Sequence, residues 1–345
     1  MTSDVTEFKT FLDKLATGAS FTEEEAAQAF DIIMSGNATP AQVGAFLMGL
    51  RVRGETVAEI AGAARVMRNK MLKVEAPGTA MDIVGTGGDG LGTVNVSAAS
   101  AFVVAGAGVP VAKHGNRAFT SKSGAADVLT ALGVNIDASI EVVQQAICEV
   151  GVGFLMAPRY HGAMRHVGGA RVELGTRTIF NLLGPLCNPA MVKVILLGTY
   201  APKWVEPMAK ALHALGVERA WVVHGRDGLD EISLSGPTMV AELKEGAVSV
   251  SEISPEDAGI KRQPLQAVKG GTPEENAIAL RTMLGGAKGA FRDFVLLNAG
   301  AALVIAGKAP HIREGASRAA EAIDSGRALT VLDNLIAMTR QVDTL

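Results

Sequence analysis

The sequence predicts an α/β protein in two parts. A small all-helical domain spans residues 1–73 and is completed by later helices; a large α/β domain spans residues 74–345, with a mostly parallel central sheet covered by helices. Three observations predict it. Up to about residue 73, apolar residues recur only at helical spacing. From about residue 79, short apolar runs alternate with helical patterns, which is how parallel strands under covering helices read. The first of those runs ends in Gly85-Thr86-Gly87-Gly88-Asp89-Gly90, a glycine-rich loop of the kind that wraps anions ahead of a helix.

In the helical head, Thr22-Glu23-Glu24-Glu25 reads as a capping box, with Thr22 bonding a free amide and Glu25 bonding back. Ala26, Phe30, Ile33 and Met34 carry that helix on. Thr39-Pro40 sets an N-cap and a proline at the first helical position, where a missing N–H costs nothing. Val43, Phe46, Leu47 and Leu50 follow, and Gly54 stops the helix. Thr56 starts the next, with Ile60, Ala63, Val66 and Met67 on one face. This head has too small a core to be secure alone and is expected to pack against later helices. Candidate strands are 81–84, 109–112, 152–156, 193–197 and 220–224. Segments 239–244 and 247–250 read as a local hairpin turning at Glu245-Gly246. From Pro273 the chain returns to helix, with 294–307 buried and Leu329, Leu332, Leu335 and Met338 forming a last apolar stripe.

Composition narrows the function classes. Apolar residues make up 48% of the 345, charged ones 19%, and the net charge is −3, which argues against a general nucleic-acid or anionic-membrane binder. Cys148 and Cys187 are too few for a disulfide framework, so a reducing cytoplasm is expected. Residues 1–10 are polar and mixed in charge, unlike a secretory leader. The uncharged run 93–112 contains Asn95, Ser97, Ser100 and Pro110, and reads as helix, turn and buried strand rather than a membrane span.

The loop Gly85–Gly90 satisfies the dinucleotide pattern G-x-G-x-x-G literally. That reading next requires an acid about 20 residues on, for the ribose hydroxyls. Lys113-His114 stands there instead, and Asp89 would set a negative charge beside the pyrophosphate. A plain strand–helix turn needs only one or two glycines; four in six residues, followed by Thr93, Asn95 and Ser97, suit an anion site better. The second loop, Lys113-His114-Gly115-Asn116-Arg117-Ala118-Phe119-Thr120-Ser121-Lys122-Ser123-Gly124, gathers cationic, hydroxyl and amide side chains at the end of an apolar strand. A solvated charged turn is the bland alternative. Lys113 can meet a diphosphate as a point charge, and Thr120 and Ser121 can donate to phosphate oxygens.

These two loops, GTGGDG…TVNVS and KHGNRA…ADVL, resemble the anthranilate phosphoribosyltransferase family. The segments 164–168, 173–186 and 228–233 agree, and the match runs in order over essentially the whole length. The resemblance implies that Gly85, Gly88, Asp89, Thr93, Asn95, Val96, Ser97 and Ala98 cradle phosphoribosyl pyrophosphate. Lys113, His114, Gly115, Asn116, Arg117, Ala118, Phe119, Thr120 and Ser121 would lie opposite, with Ala125 beyond them. It implies catalytic roles for Lys113 and Asp89, and Mg²⁺ at Asp230, Glu231 and Ser97, hard oxygens of the kind Mg²⁺ accepts beside substrate phosphates. Without the resemblance, Asp230-Glu231 reads as a surface turn after Gly228.

Arg171 corresponds to the family's anthranilate-binding arginine, with Gly85 and Asn116 as further contacts; Arg159, Arg165 and Arg177 lie nearby, and the residues alone do not choose among the four. His114 and His161 read equally as substrate-facing or as structural histidines. Three positions depart from the family's habit: Thr120 and Ala125, where serine is frequent, and Gly162, where proline is frequent. The resemblance further implies a homodimer joined through the helical domain, with small-molecule substrates and no nucleic-acid or membrane partner. A pyrimidine nucleoside phosphorylase is the nearest rival, usually longer and using inorganic phosphate; nucleic-acid-binding relatives of the fold would show a basic groove and eroded motifs.

Overall fold

The computed structural model describes residues 3–117 and 123–340. Helices α1 (Ser3–Ala16), α2 (Glu23–Met34), α3 (Pro40–Arg53) and α4 (Val57–Lys70) form the head. Each of α2, α3 and α4 opens on a complete capping box, at Thr22, Thr39 and Thr56, and Gly54 ends α3 with φ +95°. Phe46 sits at the centre of this head, its ring centroid 5.3 Å from Phe8, 5.6 Å from Phe21 and 5.8 Å from Phe30.

The head does not close on itself. Phe30 packs edge-on against Phe180, 5.8 Å away, far along the chain. Arg68 of α4 donates to the carbonyls of Leu186 and Leu215 at 2.7 and 2.8 Å. After α5 (Val96–Gly106), α6 (Ala125–Leu132), α7 (Ile140–Gln145) and α8 (Ala157–Tyr160) come three helices that complete the bundle. They are α9 (Arg165–Leu174), which lies on α3, α10 (Phe180–Leu183), and α11 (Val205–Ala214), which lies on α4. The physical reason for this packing is area: four short helices cannot bury five phenylalanines without further cover.

The sheet has seven strands in the order β3-β2-β1-β4-β5-β6-β7. Strands β1 (Met81–Gly85), β2 (Val111–Gly115), β3 (Val152–Met156), β4 (Val194–Gly198) and β5 (Arg219–Gly225) are parallel. The hairpin β6 (Thr238–Lys244) and β7 (Ala247–Ile253) turns on Glu245 and Gly246, with φ of +52° and +78°, as a two-residue turn requires. It is not merely local: β6 pairs antiparallel with β5, so the hairpin extends the main sheet. The second strand also starts later than the 109–112 reading. Pro110 has no N–H to give the ladder, so pairing begins at Val111 and runs to Gly115.

Alternation along the strands divides the two faces. Met81, Ile83 and Val111 face the core built by α5, α12 (Pro273–Leu284), α13 (Ala290–Ile305), α14 (Ile312–Asp324) and α15 (Arg327–Arg340). Ala112, Leu155, Ile195 and Leu197 face the core shared with the head. On that second face a buried Asp82 accepts from the His114 N–H at 3.1 Å and from Asn188 Nδ2 at 2.7 Å. Burial pushes its carboxyl up to about 6 despite Lys113 and these donors. Among the described residues no helix is long and apolar enough to cross a membrane.

Asn188 is itself fixed, because it also donates to Ala112 O at 2.8 Å and accepts from the Ala190 N–H. Asp82→Asn therefore turns an amide donor against a donor whichever way it is rotated. Urea unfolding at pH 8 should show a loss of about 1–3 kcal/mol, the cost of one unmet buried polar group; an unchanged midpoint would contradict this.

Candidate active site

Strand order reverses between β1 and β4, the switch point at which open α/β sheets leave a crevice outside the strand ends. Gly85 and Gly198 are the last residues of those strands and stand side by side in register. A third segment, the connection from β5 to β6, lies directly over them. A Cβ on Gly85 would come within 2.5 Å of Asp230 Oδ2, and one on Gly198 would collide with the Asp230 carbonyl oxygen. The two glycines are there because Asp230, with its carboxylate at Gly85 and its main chain at Gly198, occupies the space their side chains would need.

That connection is held from beneath by Asn298, a lone buried amide in the apolar α13. It accepts from the Ile232 N–H at 3.1 Å and donates to Ile232 O at 3.0 Å. Asp230 Oδ2 in turn accepts from the Gly87 N–H at 2.6 Å. Burial, and then the nearby charge of Asp89, push the Asp230 carboxyl up to about 6. Glu231 is raised well above the usual range by burial and by repulsion from Asp230 and Asp89, although Lys113 and the Ser97 N–H oppose this. One Glu231 oxygen, Oε2, is buried with no partner.

Lys113 lies inside β2 and points to the α5 face. Its Nζ donates to Ile83 O at 2.7 Å and Ser97 Oγ at 3.3 Å. Burial lowers its pKa, and the charges of Asp82 and Glu231 offset part of that. Asp230, Glu231 with its orphaned oxygen, and the Ser97 hydroxyl offer hard oxygens of the kind suited to Mg²⁺. No three His, Cys, Asp or Glu side chains among the described residues converge to cage an ion by themselves. This also suits Mg²⁺, which takes one or two carboxylates and leaves its remaining positions to water and substrate phosphate.

The glycine loop is longer than a dinucleotide turn. Residues 86–95 separate β1 from α5, and Gly87, Gly88, Gly90 and Gly92 all have positive φ. Val96 and Ala98 are buried; the Val96 N–H donates to Val94 O at 2.7 Å, so what the first turn of α5 offers a ligand is the main-chain N–H of Ala98. Asn95 does not cap α5 with its side chain. It donates to Ser123 O at 3.1 Å and accepts from Asn276 Nδ2 at 3.0 Å, tying the first loop to the far end of the second. Thr93 bridges to Lys269, whose Nζ donates to Leu91 O at 2.9 Å.

In the second loop, Gly115 is required by packing, since a Cβ there would meet the Phe154 ring at 2.8 Å. Asn116 is exposed, its side-chain oxygen accepting from the Arg117 N–H. Arg117 pairs with Asp127 at 3.2 Å near the start of α6, of which Ala125 is the first residue. Ala118, Phe119, Thr120 and Ser121, and with them the departure at Thr120, lie outside the described residues. The His114 ring turns to the face opposite Lys113, where its Nε2 lies 3.2 Å from Nε2 of His161. Burial lowers both, His114 to about 3 with help from its neighbour and His161 to about 4, so both rings are neutral.

The structure separates the four arginines. Arg159 donates to Ala138 O, Arg165 to Gly162 O and Arg177 to Gly88 O. Among the described residues Arg171, on α9, meets only the Phe180 ring, 5.5 Å from its guanidinium carbon, and burial lowers its pKa. It is the one of the four whose fork is not already committed to a main-chain carbonyl. Sequence reasoning missed Gly198, Asn298 and the loop contact of Arg177. A lone asparagine in the apolar run 294–307 was a readable signal for Asn298; a strand-end glycine gave a weaker one for Gly198.

The chain is similar to known proteins over nearly its whole length. Residues 9–71 match the glycosyl transferase family, helical bundle domain, and residues 77–329 the glycosyl transferase family, a/b domain. An anthranilate phosphoribosyltransferase of Rhodopseudomonas palustris (strain HaA2) is 60% identical over 96% of this chain and 98% of its own. The crystal structure of anthranilate phosphoribosyltransferase from Thermus thermophilus superposes with a TM-score of 0.91 at 46% identity, covering 95% of this chain and 99% of that one. The Saccharomyces cerevisiae enzyme, solved in complex with PRPP and Mg, gives 0.90 at 30% identity, with 98% and 99% covered.

Gly198→Ala tests the close approach directly. Forcing a methyl group against the Asp230 carbonyl should cost about 1–3 kcal/mol in chemical unfolding, and wild-type stability would show that the segments do not touch.

Proposed function

The chain belongs to the anthranilate phosphoribosyltransferase family, and on that premise we propose that it transfers the phosphoribosyl group of 5-phosphoribosyl 1-pyrophosphate to the amine of anthranilate. Pyrophosphate is released, a step of tryptophan biosynthesis. One observation carries the reading: Asp230 and Glu231, with Asp89, meet the glycine loop and Lys113 at the crevice of the sheet, a site for a multiply charged anion and a cation together.

The amine attacks the ribose anomeric carbon as the C–O bond to pyrophosphate breaks. The nitrogen gains a bond, the departing oxygen takes the electron pair, and a proton leaves the nitrogen afterwards. A neutral arylamine already has its lone pair, so no activated Ser/His/Asp set is needed. Negative charge grows on the diphosphate, and the useful groups are fixed donors aimed at it: Lys113, the loop N–H groups and the first turn of α5. Asp230, Glu231 and Ser97 would hold Mg²⁺. When bound, the ion supplies positive charge to the diphosphate. Arg171 supports the acceptor assignment because its planar fork is free to bind a carboxylate and, by holding it, to align the amine.

A homodimer belongs to the same reading, supported by Val52 on α3 and Val172 on the adjoining α9, which stand 81% and 70% exposed on the bundle. A cytoplasmic setting is supported by two unpaired cysteines.

The direct test is loss of anthranilate fluorescence on adding phosphoribosyl pyrophosphate and Mg²⁺, with each omitted in turn; signal loss without the donor, or none with all three, would refute the activity. Chelation with EDTA should stop turnover and added Mg²⁺ restore it. The double variant Asp230→Asn with Glu231→Gln should lack turnover at any Mg²⁺ concentration, and full activity would remove these two from the metal site. Arg171→Ala should raise KM for anthranilate about tenfold or more, the effect of a lost charge-assisted contact, while KM for the donor changes far less. Equal rises would reject the acceptor role.

A further inference from the structure

We propose that Arg177 is a positioning residue for the donor: its guanidinium holds the Gly88 carbonyl away from the site and so turns the following N–H, that of Asp89, toward the diphosphate. The inference rests on the donor-binding reading of the glycine loop above, and deepens it.

The guanidinium donates to Gly88 O, and its carbon lies 4.3 Å from the centroid of the Tyr200 ring. Tyr200 is fixed to the same loop, since its N–H donates to Thr86 Oγ1 at 2.9 Å; Trp204 Nε1 donates to its hydroxyl at 3.0 Å. The arginine therefore grips the loop at residue 88 and, through the ring beneath it, at residue 86. Its own carbonyl accepts from Arg51 of α3, so the grip is anchored to the helical head. No carboxylate among the described residues forms an ion pair with it, which leaves its charge to the loop.

Gly88 has φ +78°, and a glycine peptide rotates at little cost unless something holds it. In a planar trans peptide, carbonyl and N–H point in opposite directions. Fixing the Gly88 oxygen on Arg177 therefore also fixes the direction of the Asp89 N–H. A loop whose amide is already aimed binds an anion without the cost of ordering it first. Lys269 Nζ likewise donates to Leu91 O at 2.9 Å from the loop's other end, so two cations hold carbonyls on either side of Asp89. Arg177 also lies on the segment that carries Arg171, so the donor loop and the proposed acceptor contact share one stretch of chain.

The test measures donor binding by titration calorimetry with Mg²⁺, and both KM values, for wild type, Arg177→Ala, Arg177→Lys and Tyr200→Leu. Arg177→Ala should weaken donor binding about tenfold or more, as loss of a charged hydrogen bond does, with KM for the donor rising in step and KM for anthranilate little changed. Arg177→Lys should recover most of the loss, because an ammonium can still donate to Gly88 O over the Tyr200 ring. Wild-type donor affinity in Arg177→Ala, or equal rises in both KM values, would overturn the proposal. If Arg177→Ala fails to fold, Tyr200→Leu decides: weaker donor binding supports the role and unchanged binding ends it. A wild-type protein that binds no donor would instead sink the reading of the loop itself.

Discussion

Asp230 rests on two glycines, and the rest of the site depends on that contact. Gly85 and Gly198 end neighbouring central strands without side chains, so the β5–β6 connection can lie directly on the sheet. Asn298 pins it from below. Two carboxylates are thereby brought under the glycine loop and beside Asp89, where they repel one another and are driven toward protonation. Such an arrangement is poorly suited to bare water and well suited to a divalent ion. It converts the geometric accident of a strand-order reversal into a place where a diphosphate and a metal can meet.

Period-two alternation in β2 then divides the labour. Lys113 faces α5 and the carboxylates, while His114 faces the core shared with the helical head and meets His161 there. Asp82 links the two sides, lending its charge to Lys113 while its oxygens bond the His114 N–H and Asn188. Arg171, the proposed acceptor contact, sits on a helix that packs on the bundle, against Phe180 of the same core. The donor is thus assigned to the sheet's strand ends and the acceptor to the bundle, and the segment 171–180 connects them.

Much of this was legible in the residues because it is local. Capping boxes at Thr22, Thr39 and Thr56, the stop at Gly54 and the turn at Glu245-Gly246 depend on neighbours within a few positions. Apolar runs located the parallel strands to within a residue or two, except where Pro110 delayed β2. The pairing of β6 with β5 was not legible, since register between strands is set by contacts distant in sequence. Gly198 was not legible for the same reason: only Asp230, far along the chain, explains it. Arg171 could be chosen from its neighbours by family resemblance but not by chemistry until the structure showed where the other three guanidiniums are spent. Asp230-Glu231 read as a surface turn on composition alone, and burial reverses that reading.

The carboxylates above the two glycines are proposed to hold the metal that accompanies the donor. Crystals grown with phosphoribosyl pyrophosphate and Mn²⁺ in place of Mg²⁺ would test it by anomalous scattering. A manganese peak is expected within coordination distance of Asp230 or Glu231, with the diphosphate against the loop at residues 85–90. A peak elsewhere, or a donor bound away from that loop, would contradict it.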